Sequence, residues 1–205
     1  MKKMLKDAAI LFLITLCAGL VLGFVYQITK EPIARAEEEA AKKAYGEVFA
    51  SASEFQALSL PEAGQEWQDQ WKEAGFEGVT IENLLAALDK DGTRLGYVLT
   101  VTSHEGYGGD ITFTMGIQNE GTLNGISILA ISETAGLGMK AEDVLKPQFA
   151  DKNVTAFAYT KTGATSENQI DAISGATITT NAITTAVNGG LYYFQTQLGG
   201  GYETE

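Results

Sequence analysis

Residues 171–187 read DAISGATITTNAITTAV, a turn of small residues that leads into an apolar helical pattern. Gly175 and Ala176 carry little or no side chain, so a bulky group can approach the backbone there. A helix is predicted over Ile178–Gln197, with its apolar positions on one stripe. Its start collects the hydroxyls of Ser174, Thr177, Thr179 and Thr180. Because unpaired N–H groups and the positive end of the helix dipole lie at a helix start, this pattern favours a phosphate-bearing ligand.

The composition of the chain excludes several functional classes. Its 205 residues include one Cys, one His, 26 acidic and 14 basic side chains, for a formal net charge of −12. A lone Cys makes no intramolecular disulfide, and a single His excludes a zinc site with two or three histidines from this chain alone. The acidic balance argues against nucleic-acid binding, which needs a cationic surface. We therefore expect neither a metal site nor a nucleic-acid partner.

An uncharged apolar run near the N-terminus predicts a membrane span. As a helix, Ala8–Ile28 would be about 31 Å long, close to the roughly 30 Å of bilayer hydrocarbon. Lys2, Lys3 and Lys6 precede it and the following flank has mixed charge, so the positive-inside rule predicts a cytoplasmic N-terminus and an extracytoplasmic remainder. Two alternatives stay open: a cleaved signal peptide, although no clean small-x-small site follows, and a lipoprotein, although a large residue precedes the Cys.

The remainder of the chain is predicted to be an α+β domain with an antiparallel sheet and packed helices. Hairpin signals separate four strands, predicted over Val79–Leu88, Arg94–Thr102, Asp110–Ile117 and Leu123–Ile131. A short helix over Ala141–Phe149 and a strand over Val154–Tyr159 are predicted before the last helix.

The segment between the span and the sheet is predicted to be helical and connecting. Pro32 suits the start of a helix over Ile33–Phe49, which is rich in Ala, Glu and Lys. Trp67 and Trp71, one helical turn apart, predict a short helix that packs on the domain. The predicted organisation is therefore a cytoplasmic stub and span at 1–30, a helical stalk and connection at 31–78, a domain at 79–198 and a tail at 199–205.

The stretch around Thr177 resembles the D-x-x-S/T-G-A-T motif of FMN-binding domains. Asp171, Ser174, Gly175, Ala176 and Thr177 fill that motif. The resemblance implies FMN bound covalently, through its phosphate, to the hydroxyl of Thr177, and a flavin transferase that attaches it with FAD as donor. A second T-G-A-T ends at residue 165, but no Asp stands three residues before it and no apolar helical stripe follows. We therefore expect Thr177 to be the attachment site.

Two further segments are similar to the flavoprotein G subunit of Rnf complexes. Residues 106–111, GYGGDI, resemble its G-Y-G-G-x-I, and residues 133–138, ETAGLG, resemble its E-T-P-G-L-G with Ala135 in place of Pro. The family implies that the second segment borders the flavin, with Leu137 on the ring face and Glu133 and Thr134 near its polar edge. The remaining residues that the resemblance adds to the predicted cofactor site are Tyr107, Gly108, Gly109, Gly136 and Gly138.

This resemblance implies a function. Rnf complexes are membrane ferredoxin:NAD⁺ oxidoreductases that couple electron flow to Na⁺ or H⁺ movement, so we expect an electron-transfer flavoprotein subunit, with the other subunits as partners and no independent turnover. The alternatives are the C subunit of a Na⁺-translocating NADH:quinone oxidoreductase, a free-standing extracytoplasmic FMN carrier and a non-redox binding module. His104 stays open between a flavin contact and a solvated side chain.

Overall fold

The computed structural model describes residues 2–60 and 64–199 of the chain. By its internal contacts the chain divides into two compact units, Met1–Ala40 and Ala41–Glu205. Within the predicted tail, residues 200–205 lie outside the described part.

The first unit is helical throughout its described residues. These residues form the larger part of α1, which extends over Lys2–Val48. Because the second unit begins at Ala41, the last turns of α1 are part of that unit. An 18-residue window of α1 has a mean hydropathy of 2.7 and is entirely unburied. Within the described residues, α1 is the one helix long and apolar enough to cross a membrane.

Pro32 lies inside α1 rather than at the start of a separate helix. The prediction of a new helix beginning there was wrong. Pro removes one backbone donor and disfavours the preceding turn. The residues around it, EPIARAEEEAAKKA, are mostly strong helix formers, and the helix runs through.

The second unit is built on a five-stranded antiparallel sheet whose strands follow each other in chain order. The strands are β1 (Glu54–Leu58), β2 (Val79–Leu88), β3 (Arg94–Ser103), β4 (Ile111–Gln118) and β5 (Leu123–Ile131). The predicted four-stranded antiparallel sheet is thus confirmed. The edge strand β1 was missed because the periodicity of residues 50–78 is weak, and its position depends on contacts with other elements, such as Phe55 against Tyr45 at 5.7 Å between ring centroids.

The last helix, α4 (Thr177–Gln197), covers one face of the sheet. Its predicted apolar stripe is fully buried and consists of Ala182, Ile183, Ala186, Val187, Leu191 and Phe194. The helix α2 (Gln65–Glu73) lies beside α4, with Trp67 stacked on Trp71 at 4.9 Å and edge-on to Tyr193 at 5.8 Å. The predicted packing of the Trp pair on the domain is therefore present.

Between β5 and α4 the chain is less regular than predicted. The helix predicted over Ala141–Phe149 is a single turn, α3 (Ala141–Val144), between two 3₁₀ turns at Gly138–Lys140 and Lys146–Phe149. Pro147 accounts for the break, since it has no N–H to continue an α-helical ladder.

The strand predicted over Val154–Tyr159 is displaced. It forms instead as β6 (Ala158–Thr160), parallel to β7 (Gln169–Asp171). Phe157 does not belong to it because Asn188 on α4 takes both of its backbone groups. The Phe157 N–H donates to Asn188 Oδ1 at 2.7 Å, and Asn188 Nδ2 donates to the Phe157 carbonyl at 2.9 Å.

The opposite face of the sheet is covered by the end of α1. Val48 and Phe49 pack there on Ala87 and Val98. Polar contacts support this packing: Glu47 Oε2 accepts from Ser127 Oγ at 2.7 Å and from Lys146 Nζ at 3.2 Å, and Lys146 also contacts Glu142 at 2.6 Å.

The ionisation of Glu47 and Lys146 reflects these contacts. The hydrogen bond from Ser127 is the largest influence on Glu47 and, with Lys146, lowers the pKa of its carboxyl. The hydrogen bond to Glu142 is the largest influence on Lys146 and raises the pKa of its ammonium group. Both charged forms therefore stabilise the folded unit.

We expect Glu47→Gln to destabilise the second unit by about 1 kcal/mol at neutral pH, a modest value because the side chain is 40% exposed. A lowered pKa contributes stability that is present above the unfolded-state pKa and is lost as pH falls through the folded-state pKa. The difference between wild type and variant should therefore shrink below about pH 4.5. Denaturant unfolding followed by tryptophan fluorescence measures it. Glu120→Gln, on an exposed turn, is the control, and an equal effect of both variants would contradict the assignment.

Candidate functional site

Three loops meet at one cleft of about 530 Å³. They connect β3 to β4, β5 to α3, and β7 to α4. Eight of the predicted site residues line this cleft: Tyr107, Glu133, Thr134, Leu137, Gly138, Gly175, Ala176 and Thr177. The structure therefore brings together in space the three segments that the sequence separates by up to 70 residues.

Thr177 is the first residue of α4 and lies on the cleft wall, half-buried. Ala176 is the N-cap, and no side chain caps the helix. Among the described residues, the Thr177 hydroxyl has no hydrogen-bond partner. A hydroxyl without a partner at the positive end of a 21-residue helix is well placed to carry a phosphate.

The other hydroxyls at this helix start have different roles. Thr180 is buried, donates to the Ala176 carbonyl at 2.9 Å and accepts from the Ile173 N–H at 3.1 Å, so it holds the turn together. Thr179 is buried on the cleft wall beside Gly138. Of the hydroxyls expected to cluster at this helix start, that of Thr180 holds the turn, whereas Thr177 and Thr179 line the cleft.

Asp171 also has a structural role. Its Oδ1 accepts from the Ala164 N–H at 2.7 Å, and Gln148 bonds both its N–H and its carbonyl, at 2.7 and 3.1 Å. These contacts hold the turn that precedes Thr177. Asp171 is not among the residues that line the main cleft.

Thr165, at the end of the other T-G-A-T, has its hydroxyl engaged locally. Both the hydroxyl and the N–H of Thr165 donate to Gln169 Oε1 at 3.0 Å. The residue lies outside the cleft lining and outside any helix. Thr165 therefore lacks the unpartnered hydroxyl, the helix start and the position on the cleft wall that Thr177 has.

A smaller cavity of about 220 Å³ adjoins the first at Gly175 and Thr177. Ser174 and Lys161 also line it. Lys161 was not identified from the sequence because it stands 16 positions before Thr177, directly before the T-G-A-T that lacks the preceding Asp. The fold places Lys161 at a cavity that Thr177 also lines.

Glu133 connects two of the three loops. Its side chain is buried, and Oε1 accepts from the Tyr107 N–H at 2.8 Å and from the Gly108 N–H at 3.3 Å. A carboxylate satisfied by backbone donors in this way fixes the loop that carries Tyr107. Glu133 thus lines the cleft and also fixes the position of the loop that forms another part of its wall.

Two glycines allow the loops to approach so closely. A Cβ at Gly138 would lie 2.6 Å from Thr179 Oγ1 and 2.7 Å from Glu133 Cβ. A Cβ at Gly108 would overlap the Ser132 carbonyl. Gly109 and Gly136, also predicted for the site, lie in the same loops but outside the cleft lining.

The mouth of the cleft is apolar. Among the described residues of the second unit, the exposed large apolar side chains are Leu60, Tyr107, Leu137, Met139 and Ile178. Three of these, Tyr107, Leu137 and Ile178, line the cleft, and Met139 follows the lining residue Gly138. Exposed apolar surface gathered around one opening marks a site that takes an apolar or aromatic group.

Comparison with known proteins gives the family. The family model described as FMN-binding domain matches residues 106–191, and the one described as RnfG N-terminal region matches residues 1–48. The G subunit of the Na⁺-translocating ferredoxin:NAD⁺ oxidoreductase complex of Acetobacterium woodii is 31% identical over 95% of this chain and 93% of its own length. The G subunit of the ion-translocating oxidoreductase complex of Methanosarcina acetivorans is 28% identical over 97% of this chain and 98% of its own length.

A solved structure shares the fold. The crystal structure of Shewanella oneidensis NqrC superposes with a TM-score of 0.51 at 17% identity and covers 74% of this chain and 85% of its own. The molecule thus contains an FMN-binding domain, which a long apolar helix precedes in the chain. It belongs to the family of G subunits of the Rnf ion-translocating oxidoreductase complexes.

We expect Gly138→Ala to destabilise the second unit by about 1–3 kcal/mol, because the added methyl group meets Thr179 and Glu133 and a loop must shift. Thermal unfolding followed by circular dichroism measures the effect. Gly46→Ala on α1 is the control, since a Cβ there meets nothing within 4 Å and Ala favours helix over Gly. A neutral Gly138→Ala would show that the loops do not meet in this way.

Proposed function

We propose that this protein holds FMN as a phosphoester on Thr177 and relays electrons within an ion-translocating oxidoreductase complex. The observation that carries the proposal is the unpartnered hydroxyl of Thr177 at the start of α4, on the wall of an apolar-rimmed cleft. Bound FMN would supply one-electron redox chemistry. The residues of this chain bind it, orient it and exclude water from it.

The residues present fit a flavin mononucleotide. The cleft volume of about 530 Å³ lies in the range of roughly 300–1,000 Å³ typical of cofactor sites. Tyr107, Leu137 and Ile178 offer apolar surface to a ring, and Gly138 and Gly175 line the same cleft. The polar end of the group would lie at the start of α4, where Thr177 borders the smaller cavity with Lys161 and Ser174.

The covalent link needs a partner enzyme of the flavin transferase class, with FAD as donor. The Thr177 oxygen forms a bond to the phosphorus of the FMN half, the phosphoanhydride bond of FAD breaks, AMP leaves and the hydroxyl proton passes to solvent. Thr177 is half-buried rather than enclosed, which leaves the oxygen open to such an enzyme. The link would keep the cofactor on the protein without a deep pocket.

We also propose the placement of the molecule in the membrane. The apolar part of α1 spans the bilayer once, and the excess of Lys at its start holds the N-terminus in the cytoplasm. The second unit then lies on the extracytoplasmic side. Its partners are the other members of the complex, since the names of the relatives describe each of them as one part of a larger complex.

Thr177→Ala should abolish the covalent flavin, because it removes the oxygen to which the phosphate is proposed to be bound. The full-length protein, made together with a flavin transferase, should show flavin fluorescence on a denaturing gel, and mass spectrometry should find the adduct on the peptide that contains Thr177. Thr165→Ala is the matched control from the other T-G-A-T and should stay fluorescent. A fluorescent Thr177→Ala variant, or a bare Thr177 peptide in the wild type, would refute the attachment.

Lys161→Met should slow flavin attachment by roughly tenfold, because the Lys161 side chain borders the cavity at Thr177 and a charge-assisted bond to phosphate contributes about 1.5–3 kcal/mol. The measurement is the initial rate of flavin incorporation at limiting transferase, followed by gel fluorescence. Lys90→Met, in the exposed β2–β3 turn, is the control for loss of one positive charge. Equal rates for the two variants would show that Lys161 does not assist flavin attachment.

A further inference from the structure

His104, the only histidine of the chain, has a partner on each ring nitrogen. Nδ1 lies 3.1 Å from Asp110 Oδ1, and Nε2 lies 3.0 Å from Thr80 Oγ1. The backbone N–H of His104 also donates to the Gly78 carbonyl at 2.8 Å. Two side chains and the backbone thus fix the ring, although it is 47% exposed.

These contacts close the base of the glycine-rich loop. Ser103 and Ile111 are the last pair of the β3–β4 ladder, so His104 and Asp110 face each other one position beyond it. Ser103 and Ile111 are fully buried, and side chains alternate along a strand, so the His104–Asp110 pair lies on the other face of the sheet. Everything between the pair, residues 105–109, is the loop.

The same loop forms one wall of the cleft. Tyr107 lines the cleft and is 70% exposed, and its N–H and that of Gly108 are bound by Glu133. The loop is therefore fixed at two points: by Glu133 at its tip and by the His104–Asp110 pair at its base. Of these two attachments, only the pair at the base contains a group that ordinarily changes charge near neutral pH.

The charged groups around the pair are mostly acidic. Asp110 contacts the ring directly, Glu105 follows it in the loop with its side chain against Gly78, and Glu82 lies on β2 two residues from Thr80. At the tip, Glu133 holds the loop. Before β2, Glu77 is paired with Lys72 at 3.0 Å.

We propose that His104 is a positioning residue that sets the Tyr107 loop at the cleft, and that protonation of its ring tightens this loop. In the neutral ring, Nδ1–H donates to Asp110 and Nε2 accepts from the Thr80 hydroxyl. In the protonated ring both nitrogens donate, Thr80 Oγ1 accepts, and the hydrogen bond to the Asp110 carboxylate becomes an ion pair. The consequence for a bound flavin rests on the proposed function, whereas the effect of His104 protonation on the loop does not depend on it.

The test uses the full-length protein in lipid nanodiscs, made without a flavin transferase and labelled with ¹⁵N-His and ¹⁵N-Tyr. One histidine gives one pair of imidazole ¹⁵N signals, which report ring protonation, and the Tyr107 amide reports the loop. We expect the two to change with pH together, with one common midpoint. Asp110→Asn and His104→Gln should each remove that step from the Tyr107 curve. Glu105→Gln, which removes a charge from the same loop without touching the ring, should keep it.

The outcomes separate the possible causes. A step in the Tyr107 curve that survives His104→Gln belongs to Glu133 or another carboxylate and overturns the proposal, as does a Tyr107 amide that ignores the titration of the ring. In protein loaded with flavin, the fluorescence intensity should follow the same pH curve and lose it in Asp110→Asn. Failure of only this last measurement would count against the cleft as the flavin site and leave the loop mechanism standing.

Discussion

The close packing of α4 on the sheet is the constraint on which the site depends. Small residues on the buried face of α4 bring the helix near the strands: a Cβ at Gly190 would overlap the Met115 sulfur, and a Cβ at Gly189 would lie 3.1 Å from Val79. A helix seated this tightly has a fixed axial position. Its first residue, Thr177, is thereby placed where the other two loops arrive, and the cleft exists because the three meet there.

The acidic residues of the site act mainly through backbone groups. Asp171 and Glu133 both accept hydrogen bonds from N–H groups of neighbouring segments. Such bonds fix loops that have no regular secondary structure of their own. This arrangement suits a protein whose chemistry comes from a cofactor, because the chain then has to supply position and shielding rather than an acid or a base.

The sequence allowed the sheet, the apolar helix and most residues of the cleft to be predicted. Hairpin turns and alternation are local signals, and the motif ending at Thr177 together with the two similar segments indicated which loops matter. The edge strand β1, the division of the helix around Pro147 and the displaced strand β6 were not predicted correctly. In each case the deciding contact comes from a distant or special residue, such as Asn188, which takes the backbone groups of Phe157.

Local patterns sufficed to predict that a long apolar helix precedes an α+β domain and that a hydroxyl-bearing turn leads into its last helix, because periodicity, charge and turn residues act over a few neighbours. The packing of distant segments had to be known before the hydroxyl of Thr180 could be seen to hold the turn, and before Lys161 could be placed at the same cavity as Thr177. The tertiary structure also shows that His104 closes the loop of Tyr107. These assignments depend on packing between segments far apart in the chain, which local patterns do not encode.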